Sequence, residues 1–562
     1  MAAIKAFVVF STLISLHLLV APYTKVEESF HIQAVHDIFI NGLPSFPGFG
    51  YDGGNNTNIA TDAYDHFQFP GAVPRTAIGA AVLAKLLSVV PESWVVNGAD
   101  QQFLARLILG LFNALSLAVY THGLRRSYGR VVATWYMALQ ASQFHLIFYA
   151  SRPLSNTFAF GLTTLAMRFL LPSAGGSAPP PRSSSRLALF LLTVAGVIFR
   201  SELALLVAAQ TVFMLITDQI SLIPDAIPAG LAGLVVGVGA SVAVDSAFWQ
   251  RLVWPELNAF LFNVVSGQSS KWGTQPFYFY LFALMRLLLN PLTYLLAIPV
   301  SLRQPATKRS ATALLVPSLV FVVMYSAQPH KEWRFIVYAV PPLTASAALG
   351  AAYLWNHQTR SWFNRIAAWA MVAATVASLC ISTFILLPAS AVNYPGGYAL
   401  RLLHESQENS TSSGNATVYL GNLACQTGAT RFLQRPDWIY DKTEDSSAKS
   451  TPAFWDTFDY ILVEASSDES YRDADETLLR AALPSAQWDT VAVAEGFAGV
   501  ELLRPEDLAE GAVEGRVLRD LLGESAVVVY EILREMARTM VLWGWWVELK
   551  VRPRVKVLMR VR

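Results

Sequence analysis

Apolar runs suited to crossing a bilayer occupy residues 7–21, 103–122, 131–150, 154–171, 187–199, 203–217, 227–244, 277–300, 311–326, 335–355 and 366–388. Several fall short of the roughly 20 residues that a straight span needs. The pattern predicts a mainly α polytopic membrane protein of about eleven transmembrane helices. A further apolar stretch, residues 76–90, is short and interrupted by Lys85, and reads as an interfacial or re-entrant piece. Basic residues then set the orientation. Arg125, Arg126 and Arg130 fill one loop, Arg182 and Arg186 flank another, Arg303, Lys308 and Arg309 fill a third, and Arg360 and Arg365 a fourth. All four fall on one side of an eleven-span chain, which is the expected cytosolic side. The opposite side receives the first loop (22–75), the loop 245–276, the turns at Arg152, Arg200 and His330, and everything after residue 388.

The first apolar run delivers Pro22-Tyr-Thr-Lys-Val-Glu-Glu-Ser-Phe30 directly from the membrane. At helical period Phe30, Ala34, Val35, Ile38 and Phe39 form an apolar arc, with Ser29, Gln33, His36 and Asp37 opposite. Extended backwards, the arc takes in Glu27 and Glu28, so periodicity does not assign them to the solvated face. Acids at a helix start are stabilised by the unpaired amides there. A capping role therefore stands beside a catalytic one for this pair.

Composition agrees with the membrane reading: 54% of the 562 residues are hydrophobic and 14% charged. A net charge of +1 gives no reason to invoke nucleic acid. The first run lacks a small-residue cleavage site and reads as a retained anchor. After residue 388 the chain turns to Ser, Thr, Asp and Glu with short β-type runs at Thr417-Val-Tyr-Leu-Gly421 and Asp459-Tyr-Ile-Leu-Val-Glu464. This predicts two domains: a transmembrane catalytic domain, 1–388, and a small mixed α/β C-terminal domain, 389–562. Near the end, residues 539–547 are apolar but too short to span, and read as a membrane-surface tail with Trp543, Trp545 and Trp546 at headgroup level. The sequons at Asn55, Asn409 and Asn415 all fall on the non-cytosolic side. Cys380 lies in an apolar run and Cys425 in a polar one, so no disulfide is expected.

Charged groups gather at span ends on that same side: Ser151-Arg-Pro-Leu-Ser-Asn156, Phe199-Arg-Ser-Glu202 and His330-Lys-Glu-Trp-Arg-Phe335. Each taken alone is compatible with an anchoring turn in the headgroup zone. Together they set Arg152, Arg200, Lys331 and Arg334 on the side of Glu27 and Glu28. A carboxylate with several cations is what transfer from a lipid phosphate requires, the cations holding the leaving group and the carboxylate taking a proton. No HExxH, CxxC or GxxxxGK[ST] pattern is present, so neither a metal nor a cofactor is expected. A lipid-linked solute transporter is the competing class, but it would place its polar residues near the midplane on broken helices.

These residues resemble a known family. Thr24-Lys-Val-Glu-Glu-Ser-Phe30, Ala34-Val-His-Asp37, Tyr64-Asp-His-Phe-Gln-Phe-Pro-Gly71 with Val73-Pro-Arg-Thr76, Arg152-Pro-Leu-Ser-Asn156 and His330-Lys-Glu-Trp-Arg-Phe335 are similar to motifs of the dolichyl-phosphate-mannose-dependent mannosyltransferases of glycosyltransferase family 22. The likeness runs to about residue 388, with Asn393-Tyr-Pro-Gly-Gly397 beyond it. It implies the GT-C fold, with amphipathic helices in the first luminal loop. The implied donor is dolichyl phosphate mannose. The first-loop motifs resemble the branch that acts on the lipid-linked N-glycan precursor, which implies a seven-mannose dolichyl-diphosphate oligosaccharide as acceptor and an inverting α-1,6 transfer in the endoplasmic reticulum membrane, with the active site facing the lumen. A GPI-anchor precursor is the alternative acceptor. On this resemblance Glu27 and Glu28 are the catalytic candidates; many relatives carry Asp at the position of Glu27. Arg152, Arg200, His330, Lys331 and Arg334 are candidates for the donor phosphate. His31, Asp65, His66, Arg75 and Asn156 are candidates for the acceptor or the loop.

Overall fold

The computed structural model describes residues 2–44, 63–176, 178–408, 415–466, 473–484, 486–507, 511–540 and 542–561. Every one of the eleven apolar runs forms helix. Among the described residues six helices are long and apolar enough to cross a membrane: Ala3–Val20, Gly98–Tyr128, Leu222–Trp249, Pro305–Tyr325, Trp333–Asn356 and Trp362–Ala391. A seventh span results if Phe279–Leu288 and Thr293–Arg303, bent by 106°, count as one. The bend has a local cause. Pro291 cannot continue the hydrogen-bond ladder, Leu289 turns to φ +58°, and the Asn290 side chain caps the amide of Leu292 at 2.9 Å. The remaining runs make shorter helices: Arg130–Ala141 with Phe144–Tyr149, Ser155–Phe169, Arg182–Ile198 and Leu203–Ile216. Helix 78–87, the predicted interfacial piece, leaves Val82 and Leu86 exposed.

Two compact units divide the chain. The first comprises Met1–Leu16, Ala34–Val89 and Leu104–Ser382. Its centre is Trp333–Asn356, buried throughout from Phe335 to Ala352 and packed by Arg130–Ala141, Ile298–Arg303 and Pro305–Tyr325. Small residues make this possible: a Cβ on Gly350 would lie 1.9 Å from the Ala297 carbonyl oxygen. The second unit comprises His17–Gln33, Val90–Phe103 and Thr383–Arg562. Two short early segments thus associate with the C-terminal part, which a boundary drawn from composition at residue 388 does not capture.

The second unit is built on one five-stranded sheet. Its strands are β1 (Thr417–Leu420), β2 (Ile439–Asp441), β3 (Tyr460–Glu464), β4 (Gln487–Leu503) and β5 (Trp546–Val561), in the order β2-β1-β3-β5-β4. β1 runs parallel to β2 and β3, whereas β5 is antiparallel to β3 and β4. Alternation along the strands splits the core into two faces. Val418, Leu420, Leu462 and Val557 pack on one side, and Tyr419, Ile461, Val463 and Leu558 on the other. Of the expected surface tail, Trp543 and Trp545 are exposed ahead of the last strand, and only its end is placed otherwise. Trp546 begins β5, and the alternating basic and apolar residues that follow are the period of a strand inserted in the sheet, with Val555 and Val557 fully buried. Cys380 and Cys425 are free thiols. Asn55 and Asn409 lie outside the described residues; Asn415 stands two residues before β1.

Candidate active site

In the second unit, Glu27 and Glu28 occupy the first turn of helix Val26–Asn41, and the Lys25 carbonyl accepts from the Glu28 and Ser29 amides at 3.0 Å. Glu28 is almost fully buried, whereas Glu27 is half-buried. His31 is buried one turn on. The C-terminal part holds this stretch at both ends. Lys25 Nζ donates to Asn393 Oδ1 at 3.1 Å and lies 5.7 Å from the Tyr394 ring. Gln102 donates to the Pro22 carbonyl at 3.3 Å and accepts from Thr430 Oγ1 at 2.6 Å. The Arg431 amide donates to Gln33 Oε1 at 3.4 Å. Tyr23 lies against Gly397, where a Cβ would come within 2.4 Å of its ring, and against Gly428, held at φ +118°. Burial pushes the Tyr23 phenol up to about 12, with the Arg401 guanidinium opposing. The Asn393-Tyr-Pro-Gly-Gly397 turn is therefore a seat for the residues leading into the acids. Gly397→Val should cost about 1–3 kcal/mol of stability by overpacking. It should also lower kcat more than donor affinity; melting and steady-state kinetics together check this.

The first unit brings two of the five cation candidates together over one aromatic ring. Arg200 and Arg334 lie over Phe335, their Cζ atoms 4.9 and 5.8 Å from its centroid. Each carries a carboxylate partner: Arg200 Nε donates to Glu202 at 2.8 Å, and Arg334 Nη2 donates to Glu332 at 2.8 Å. Asn156 joins the two, its amide directed at Glu202 Oε1 (3.3 Å), the Arg334 carbonyl (3.2 Å) and the Tyr338 hydroxyl (3.0 Å). Glu256 accepts from the Ser201 amide at 2.7 Å. Burial pushes the Glu256 carboxyl up to about 7, Arg200 opposing and Glu202 adding to the rise. Burial alone would depress Arg200, but Glu202 and Glu256 outweigh it and keep the guanidinium charged. Glu332 shows the converse: burial raises it, while Arg334 and His330 outweigh that and hold it below its ordinary range.

The other candidates are placed differently. His330 Nε2 is 3.0 Å from Glu332 and its Nδ1 is 3.2 Å from the Gly273 carbonyl. Lys331 Nζ donates to the carbonyls of Gln275 (2.9 Å) and Gln328 (2.5 Å), tying down the loop before helix Phe279–Leu288. Arg152 is buried with its guanidinium 4.0 Å from the Phe148 ring centroid. A cleft of about 20 Å³, room for a water, lies among Tyr149, Asn156, Trp333 and Arg334. Sequence reasoning gave no role to Glu202, Glu256 or Tyr338. Glu202 stands in a quoted cluster, but nothing around Glu256 signals its position.

The first-loop candidates form a separate anchor. Asp37, expected on the solvated face, is fully buried, because His66 supplies a partner: Nδ1 lies 3.0 Å from Asp37 Oδ2, and the His66 amide donates to the same oxygen at 3.3 Å. Burial raises Asp37, but hydrogen bonds from His36 and His66 outweigh it and hold the carboxyl well below its ordinary range. His66 Nε2 faces the Phe248 carbonyl at 2.9 Å and the ring stacks on Phe248 at 3.7 Å. Trp249 donates to the Arg75 carbonyl at 2.9 Å, and Asp245 accepts from Thr76 and the Ala77 amide. Asp65 is buried beside His66. The Tyr64–Thr76 motif thus fastens the loop to the end of helix Leu222–Trp249.

Residues 63–434, which carry the fastened loop and the Phe335 cluster, match the Alg9-like mannosyltransferase family. The chain belongs to this family. Among curated relatives of this mannosyltransferase is one from Schizosaccharomyces pombe named as a probable Dol-P-Man:Man(7)GlcNAc(2)-PP-Dol alpha-1,6-mannosyltransferase. It is 36% identical over 455 residues, covering 80% of this chain and 75% of that protein. The Saccharomyces cerevisiae protein of that name is 33% identical over 482 residues, covering 80% and 82%. In structure the mannosyltransferase is similar to ArnT from Cupriavidus metallidurans bound to undecaprenyl phosphate, with TM-score 0.55 and 14% identity over 87% of this chain and 96% of that one. Identity that low speaks to the fold alone. The family and the GT-C fold implied by the sequence motifs are borne out.

Proposed function

We propose that this mannosyltransferase moves mannose from dolichyl phosphate mannose to the 6-hydroxyl of a mannose on the seven-mannose dolichyl-diphosphate oligosaccharide, at the lumenal face of the endoplasmic reticulum membrane. The observation that carries the reading is the likeness, at 33–36% identity over 80% of the chain, to relatives named for that reaction. The acceptor oxygen attacks C1 of the mannosyl group as the bond from C1 to the phosphate oxygen breaks. The product is α-linked, dolichyl phosphate leaves, and the hydroxyl proton passes to a carboxylate. Glu27 is assigned that role over Glu28 because it is the less buried of the two. Arg200 and Arg334, paired over Phe335, are assigned to the donor phosphate. His330 and Lys331 hold the surrounding loop, Arg152 supports from the neighbouring turn, and Asn156 orients the pair. Asp65, His66 and Arg75 set the first loop, and His31 lines the acid stretch. The lumenal assignment is supported by the basic residues of the four opposite loops. Cells deprived of the protein should accumulate the seven-mannose lipid-linked oligosaccharide, and the wild-type chain, but not Glu27→Gln, should clear it. Accumulation of any other species would redirect the acceptor.

A further inference from the structure

Among the described residues, helix Glu524–Met540 of the second unit carries an apolar face that is largely exposed. At helical period Val528, Val529, Ile532, Leu533, Met536 and Met540 fall within an arc of roughly 140° that includes no charged residue. All six are between 47% and 72% exposed. Glu524, Glu531, Arg534, Glu535 and Arg538 lie outside the arc. Trp543, just beyond the helix, is 82% exposed, and Trp545 is also exposed. The orientation of this face is fixed. Arg538 is buried and donates to the carbonyls of Gly544 and Arg504 at 2.8 Å. Gly523, at φ +82°, turns the chain back so that the helix pairs with Ala512–Leu522.

What covers this face follows from where the hairpin is attached. Val513, on the first helix of the pair, shares a buried cluster with Ala389 and Val392. These stand at and just beyond the end of Trp362–Ala391, one of the helices long and apolar enough to cross a membrane. Leu521 lines a 140 Å³ cavity with Leu19 and Val20, the last residues of the helix that begins the chain. The hairpin is therefore packed against the ends of two apolar helices. Exposed aliphatic side chains with tryptophans beside them suit the zone between headgroups and acyl chains. We propose that helix Glu524–Met540, with Trp543, docks on the membrane surface and is an interfacial anchor for the sheet-bearing unit. Its apolar arc carries no basic residue, so the partner is the zwitterionic lipid surface, and anionic lipid is not required.

The test uses the full chain in phosphatidylcholine nanodiscs, with Cys380 and Cys425 changed to Ser and one environment-sensitive fluorophore placed by Val529→Cys or Ile532→Cys. Glu531→Cys is the control on the charged side, and all three positions are exposed, so labelling leaves packing intact. Lipids carrying a nitroxide near the headgroup should quench the label at 529 and 532 at least threefold more than at 531. The difference should persist in high salt. Equal quenching at the three positions would overturn the proposal. So would shielding at 529 and 532 that is indifferent to nitroxide lipid and grows with protein concentration, which would make the face a contact between copies. Dependence on anionic lipid would overturn the choice of lipid surface.

Discussion

Glu27→Gln should slow mannosyl transfer about 100- to 10,000-fold, the usual effect of losing a positioned general base. A sugar hydroxyl is a poor nucleophile, and the amide keeps the size of the carboxylate without its capacity to take the proton. Both lipid substrates should still bind. Glu27→Asp should retain partial activity, because the shorter acid has the same chemistry. A cap would behave differently, losing about 1 kcal/mol of stability and little rate. The burial difference between the two acids makes the comparison sharp. Glu28→Gln disturbs a buried side chain and should be read with a melting curve. Near-normal turnover in Glu27→Gln with a folded but inactive Glu28→Gln would move the base by one residue, and near-normal turnover in both would remove the stretch from the chemistry.

Arg334→Ala and Arg200→Ala should each reduce transfer at limiting donor roughly tens- to a thousand-fold, corresponding to about 2–4 kcal/mol for a lost charge-assisted contact in a water-poor site. Each substitution also strips a carboxylate of its partner, Glu332 in one case and Glu202 in the other. The double variant Arg334→Ala with Glu332→Gln separates the two effects. If the guanidinium acts on the phosphate, the double variant stays slow while its stability recovers. Recovery of turnover in the double variant would reduce Arg334 to a structural ion pair. Lys331→Ala should act otherwise, loosening the loop it ties through Gln275 and Gln328.

The legible features of this chain were those carried by local period and by contiguous motifs. The eleven apolar runs became helices, and the β-type runs at 417 and 460 became β1 and β3, because each pattern is complete within a few residues. The Phe199–Glu202 and His330–Phe335 clusters could be paired because both close short turns between apolar helices. Asp37 was misjudged because its burial depends on His66, a partner 29 residues away whose pairing no helical wheel contains. The strand that begins at Trp546 is not legible because its neighbours β3 and β4 are remote in sequence. Glu256 escaped notice because a single acid in a long loop looks solvated until the Ser201 amide is seen to meet it. The seat for the acid stretch was half visible: Asn393–Gly397 stood out as a motif, yet only the fold brings Gly397 to Tyr23.

The transferred group, its donor and its acceptor are tested together by one assay. Purified protein should be given dolichyl phosphate mannose and dolichyl-diphosphate oligosaccharides bearing six, seven or eight mannoses, and the product linkage determined by NMR. One added mannose, α-1,6-linked, is expected on the seven-mannose acceptor, with little transfer to the other two. Preference for another acceptor, a different linkage, or activity with a sugar nucleotide in place of the lipid donor would contradict the proposed reaction.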